Sequence, residues 1–138
     1  MRFEGRVFRS GRYWAVEVPI LGVVTQGRTK KEALEMISDA IESLVNEPNF
    51  KVKVFPGRGG YFEAGANDEA KLTALLLRRA RTRAGLTLSE VAHRLGSASL
   101  NSYARYEQGK SVPTVAKLSE LLSALETDKD FVLTESRA

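Results

Sequence analysis

The chain has 138 residues, a formal net charge of +4, 43% hydrophobic and 28% charged residues, the balance of a globular protein of one ordinary domain or two small ones. The absence of cysteine excludes disulfides, thiolate zinc sites and cysteine nucleophiles. No apolar run approaches the length of a membrane span, and the opening MRFEGRVFRS lacks the apolar core of a signal peptide, so the cytoplasm is the expected compartment.

Taken in order, Phe3 to Phe8 reads as a strand and Ser10-Gly11 as a turn. From Tyr13 to Val18, Trp14, Val16 and Val18 alternate with Tyr13, Ala15 and Glu17, the period of a half-buried strand that Pro19 limits. Leu21 to Gln26 reads as a third strand closed by Gly27, which completes an antiparallel meander. Thr29 and Glu32 form the T-x-x-E signature of a helix start. Ala33, Leu34, Ile37, Ala40, Ile41, Leu44 and Val45 make the apolar stripe of that helix, and Pro48 marks its end. Phe50 to Phe55 alternates apolar residues with Lys51 and Lys53, Pro56 to Gly60 is a loop, and Tyr61 to Ala64 is a weaker strand candidate. The fold class is therefore α+β: a β-β-β-α-β domain over residues 1–66, followed by an all-α domain over 67–138. The wet strand faces around Tyr13, Glu17 and Lys51 mix aromatic and charged side chains and suit a protein partner, with an ordinary exposed sheet face as the alternative.

The string GRYWAVEVPILGVVTQGRTKKEALEMISDAIESLV resembles the HicB antitoxin domain, a reduced relative of the ribonuclease H fold. The resemblance spans residues 1–64 and is carried by Val18-Pro19, by Thr25-Gln26-Gly27-Arg28-Thr29 and by Glu32-Ala33; Gly22-Val23 departs from the Gly-Cys common in that family. It implies binding of a small HicA-type ribonuclease toxin. A nuclease would need carboxylates converging on divalent metal ions, and the strand candidates offer only Glu4, Glu17 and Glu63. A chance set of surface acids is the preferred reading, so no catalytic residue, metal or cofactor is expected and the chain is read as a binding protein rather than an enzyme.

In the second half, Asn67 and Asp68 are expected to cap a helix with Leu72, Leu75, Leu76 and Ala80 inward. Gly85 ends it; Thr87 and Glu90 form a second capping box, with Leu88, Val91, Ala92 and Leu95 on one face before Gly96. Ser99 is a candidate cap for a helix from Leu100 to Gln108, stopped by Gly109. Two short helices around a glycine-containing turn follow the helix-turn-helix plan, in which the second helix enters the DNA major groove. On that helix Tyr103 and Tyr106 should face inward, whereas Asn101 and Arg105 share an outward face. Asn can pair with adenine and Arg with guanine, so this face can read base edges; a solvated helix face is the alternative. Ser99, Ser102 and Lys110 are placed on phosphates. Between Lys71 and Lys110, eight Lys and Arg stand against Glu90 and Glu107, a net of +6 that would attract phosphate if the cations cluster.

LLLRRARTRAGLTLSEVAHRLG, SLNSYARYEQGK and PTVAKLSELLSAL together resemble the phage-repressor class of helix-turn-helix (XRE, Cro/CI type) over residues 68–126. Leu88 stands where the class often has Gln, and the turn reads as one residue longer. The resemblance implies an ion pair between Arg81, in the last turn of the first helix, and Glu107, after Tyr106, and it implies a homodimer or higher oligomer on a double-stranded operator. A helix from Pro113-Thr114 carries Val115, Leu118, Leu121, Leu122 and Leu125, and Phe131 to Leu133 either forms a short strand or covers a dimer seam. The leading expectation is an antitoxin that neutralises a HicA-type toxin and represses its own operon. The alternative is a stand-alone transcription regulator whose first domain serves dimerisation or ligand sensing.

Overall fold

Val7, Phe3 and Gly5 alternate with charged residues along β1 (Arg2–Ser10), and all three are buried, so this strand has one dry face and one wet face. In the computed structural model, which describes residues 1–96 and 100–136, β1 is the central strand of a five-stranded antiparallel sheet. Its partners are β2 (Tyr13–Val18) on one side and β5 (Tyr61–Ala66) on the other, with β3 (Val23–Gly27) and β4 (Val52–Pro56) at the edges, in the order β3-β2-β1-β5-β4. Helix α1 (Lys30–Val45) covers the dry face with Ala33, Ile37, Ile41 and Val45, over Phe3, Val7, Val16, Val18, Phe62 and Ala64. Its N-terminus is capped by Thr29, whose hydroxyl oxygen accepts from Glu32 N at 3.0 Å.

Three details differ from the sequence expectation. Pro19–Leu21 forms one turn of 3-10 helix, closed by Gly22 at φ +62°, so the third strand starts at Val23 rather than Leu21. The Pro-fixed φ favours such a turn, and Leu21 is wholly buried from it. The weak Tyr61–Ala64 candidate is a full strand held between β1 and β4, which explains its nearly continuous burial. Asn67 does not cap the next helix: its amide oxygen accepts from Lys51 N at 2.9 Å and its amide donates to Asn49 O at 2.8 Å, which ties down the entry to β4.

Among the described residues, Met1–Glu69 with Glu135 and Ser136 form one compact unit, and Ala70–Thr134 forms a second. The second unit is helical: α2 (Glu69–Ala84, whose first residue counts with the first unit), α3 (Leu88–Arg94), α4 (Leu100–Glu107) and α5 (Val115–Leu125). Its core joins Leu72, Leu75, Leu76, Leu77 and Ala80 of α2, Val91 and Ala92 of α3, Tyr103 of α4, and Leu121, Leu122 and Leu125 of α5. Thr114 caps α5, but Val115 at its first position is exposed rather than part of the apolar stripe. Among the described residues after α5 there is no helix or strand; Phe131 is half-buried and Val132 and Leu133 are exposed.

Candidate nucleic-acid interface

The local signals that build the α3–α4 pair are physical and short-range. Thr87 and Glu90 exchange the two bonds of a capping box, Glu90 N to Thr87 Oγ1 at 3.1 Å and Thr87 N to Glu90 Oε1 at 3.2 Å. Leu86 and Val91, both buried, occupy the two positions of the hydrophobic staple that sets the chain's angle of entry. Gly109, at φ +70°, ends the segment after α4 in the left-handed region and lets Lys110 N donate back to Arg105 O at 3.0 Å.

Helix α4 has an inner and an outer face. Tyr103 and Glu107, one turn apart, are buried, whereas Asn101, Ser102 and Arg105 are exposed. Tyr106 is half-buried rather than a full core residue. Buried Glu107 takes the Arg81 Nε–H at 2.7 and 3.1 Å on its two oxygens and the Tyr103 hydroxyl at 3.1 Å. Arg81 also donates from Nη1 to Leu86 O at 3.0 Å. One guanidinium thus binds the end of α4, the end of α2 and the loop leading into α3. Burial, reinforced by the neighbouring Glu107 charge, pushes the Tyr103 phenol well above its ordinary value, so it stays a neutral donor. The hydrogen-bonded Glu107 carboxylate in turn raises Arg81.

Of the residues singled out for DNA, Asn101, Ser102, Arg105 and Lys110 are exposed on or just after α4, and Arg105 Nε donates to Ser111 Oγ at 3.3 Å. Ser99 lies outside the described residues. The expected basic cluster is smaller than the local count. Arg83 binds Glu126 at 2.8 Å, Arg94 donates to Ala124 O at 3.0 Å at the end of α5, and Arg81 is committed to Glu107. Glu126 lies beyond residues 71–110, so the local charge of that segment does not include it. Its side chain is only 6% exposed and also faces Lys129 at 3.3 Å.

In the first unit the sheet face opposite α1 is exposed at Phe8 and Tyr13, whereas Glu63 and Gly65 of β5 on the same face are buried. Tyr13 and Glu17 both lie on it, but Lys51 does not join them: it precedes β4, which β1 and β5 separate from β2, and leans towards Glu42 of α1 at 3.7 Å. The registry places Glu4 directly opposite Glu63 on this face. The Tyr61 hydroxyl lies 3.3 Å from each, while Arg2 and Ser136 donate to Glu63 at 3.1 and 2.6 Å. The Ser136 bond leads in holding the Glu63 carboxyl below its usual range; burial works against it, and Arg2 and Tyr61 assist. Glu17 pairs with Arg6 and Val24 in the registry, not with these acids. Among the described residues no group of three or more His, Cys, Asp or Glu is arranged to hold a metal ion, and no helix is long and apolar enough to cross a membrane.

Residues 74–132 match a family model described as a helix-turn-helix domain. The match begins inside α2, contains the whole of α3 and α4 and runs past α5; it does not reach residues 1–73. It supports DNA binding and transcription regulation as the work of this half of the chain. No curated protein matches the chain.

Proposed function

We propose that the protein is an operator-binding repressor that also serves as the antitoxin of a HicA-type ribonuclease, with no catalytic activity of its own. The observation that carries the DNA-binding part is the two-faced α4: Asn101, Ser102 and Arg105 are exposed along one side while Tyr103, Glu107 and Arg81 clamp the other. A helix held this firmly can present Arg105 to guanine and Asn101 to adenine in the major groove, with Ser102 and Lys110 against the phosphates. One short helix spans few base pairs, so the repressor gains site length by pairing about a two-fold axis, with half-sites about one helical turn or a multiple of it apart.

Support for the antitoxin part comes from the HicB resemblance of residues 1–64 and from the sheet face opposite α1 carrying Tyr13 and Glu17. On that face Glu4 and the buried Glu63 are engaged with Tyr61, Arg2 and Ser136, which suits a structural role better than metal-dependent hydrolysis. The experiment has two arms. Selection of duplexes from a random pool by the full chain should converge on a two-fold symmetric site. A gene for a small basic, histidine-containing protein should lie beside this one, and its product should co-purify with the chain and lose its ribonuclease activity. Convergence without co-purification selects the stand-alone regulator; failure to converge removes the operator reading.

A further inference from the structure

The two edges of the sheet are defended unequally. An unpaired edge strand presents N–H and C=O groups to any passing chain, and proteins blunt it with lysines, prolines or bulges. β4 follows that practice, with Lys53 in the strand, Lys51 just before it and Pro56 at its end. β3 does not. Val23-Val24-Thr25-Gln26-Gly27 has neither charge nor proline, pairs one-to-one with β2 over all five residues without a bulge, and has no strand on its outer side among the described residues.

The surroundings of this edge mix apolar and acidic side chains, with Glu17 as the cross-strand neighbour of Val24 on the face opposite α1. On that face Val24 is 70% exposed, with Phe8 and Tyr13 at 48% and 45% further in. On the helix side, Leu34 and Ser38 of α1 line a groove with Val54 and Pro56, which fixes that flank of the helix towards β4. The opposite flank, which carries Met36 at 39% exposure together with the exposed acid Asp39 on the same face, therefore lies towards β3.

We infer that the β3 edge is the seam at which two copies of this chain pair, joining their sheets into one ten-stranded sheet. Strand β3 is complementary to itself. An antiparallel pair centred on Thr25 engages all five residues: Val23 opposite Gly27, Val24 opposite Gln26, and Thr25 opposite its twin. That registry keeps each side chain on its own face of the sheet. Within the strand pair itself no like charges meet, and Arg28 falls opposite Gly22. A two-fold axis normal to the sheet sets both α1 helices on one side, bringing the Met36 flanks towards the seam. The inference concerns the free protein and stands whether or not α4 reads DNA.

The test is the mass of the full chain by sedimentation equilibrium without DNA. Wild type should be a dimer. Val24→Lys with Gln26→Lys puts lysines opposite lysines and should halve the mass; Val24→Lys with Gln26→Glu puts opposite charges across the same seam and should restore it. A monomeric wild type, two dimeric double variants, or a monomeric Lys/Glu variant would each overturn the inference, the first pointing to a strand from a different protein. Should the double-lysine variant fail to fold by circular dichroism, hydrogen exchange on wild type decides. Protection of β3 amides must rise with protein concentration through the dimer transition, and concentration-independent exchange there would refute the seam.

Discussion

At the scale of single residues, the carboxylate of Glu107 sits 6% exposed between a guanidinium at 2.7 Å and a phenol at 3.1 Å, and this arrangement sets the angle of α4. The net worth of a buried pair is small, because desolvation offsets much of the attraction; removing one partner is costly, because it strands the other charge. Glu107→Ala should therefore lower stability by about 3–5 kcal/mol in urea unfolding. A loss below about 1 kcal/mol, the range of exposed pairs, would mean that Arg81 finds water instead. Glu63 makes a second residue-level prediction. Its lowered pKa means that its contribution to stability is present above the ordinary carboxylate value and is lost as pH falls through the depressed one. Ser136→Ala removes the leading cause, so the Glu63 carboxyl should titrate at higher pH by NMR; an unchanged titration would show that Arg2 and Tyr61 suffice.

Elements whose signals are local were legible in the sequence. Both Thr caps, the β1–β2 turn, the inward Tyr103 and the Ala33, Ile37, Ile41 and Val45 part of the α1 stripe follow from spacings of two to four residues, whereas Leu44 is exposed and Glu107, not Tyr106, completes the inner face of α4. Thr87→Ala should cost about 1 kcal/mol in thermal or urea unfolding, since it removes one half of the α3 capping box. What escaped were features set by neighbours far along the chain. β5 reads weakly because being flanked on both sides by strands, not alternation, is what holds it. β3 starts at Val23 rather than Leu21, because Leu21 is apolar for packing within a 3-10 turn rather than for a strand. Gly27 is another case: a Cβ there would lie 2.5 Å from Ala33 N, against helix backbone that cannot give way. Gly27→Ala should cost about 1–3 kcal/mol, the range for overpacking; the sequence marks Gly27 as the close of a strand but not its contact with α1.

For the whole molecule, the α+β organisation and the helix-turn-helix half were legible, while the charge pattern was only partly so. Summing charge over a window assumed that cations near in sequence are neighbours in space and free to meet phosphate. Arg83 and Glu126 are 43 residues apart, and only the fold reveals that they bind. Lys51 failed for the same reason, since strand order decides which wet residues share a face. The account rests most heavily on α4 reading bases, and one comparison addresses it. Full-length wild type and Arg105→Ala would be titrated at equal salt against a duplex selected from a random pool and against the same duplex scrambled. The account predicts a loss of about 1–3 kcal/mol on the selected duplex, with relaxed preference at one base position, and little loss on the scrambled one. Equal loss on both would contradict it and leave Arg105 a contact to the phosphate backbone.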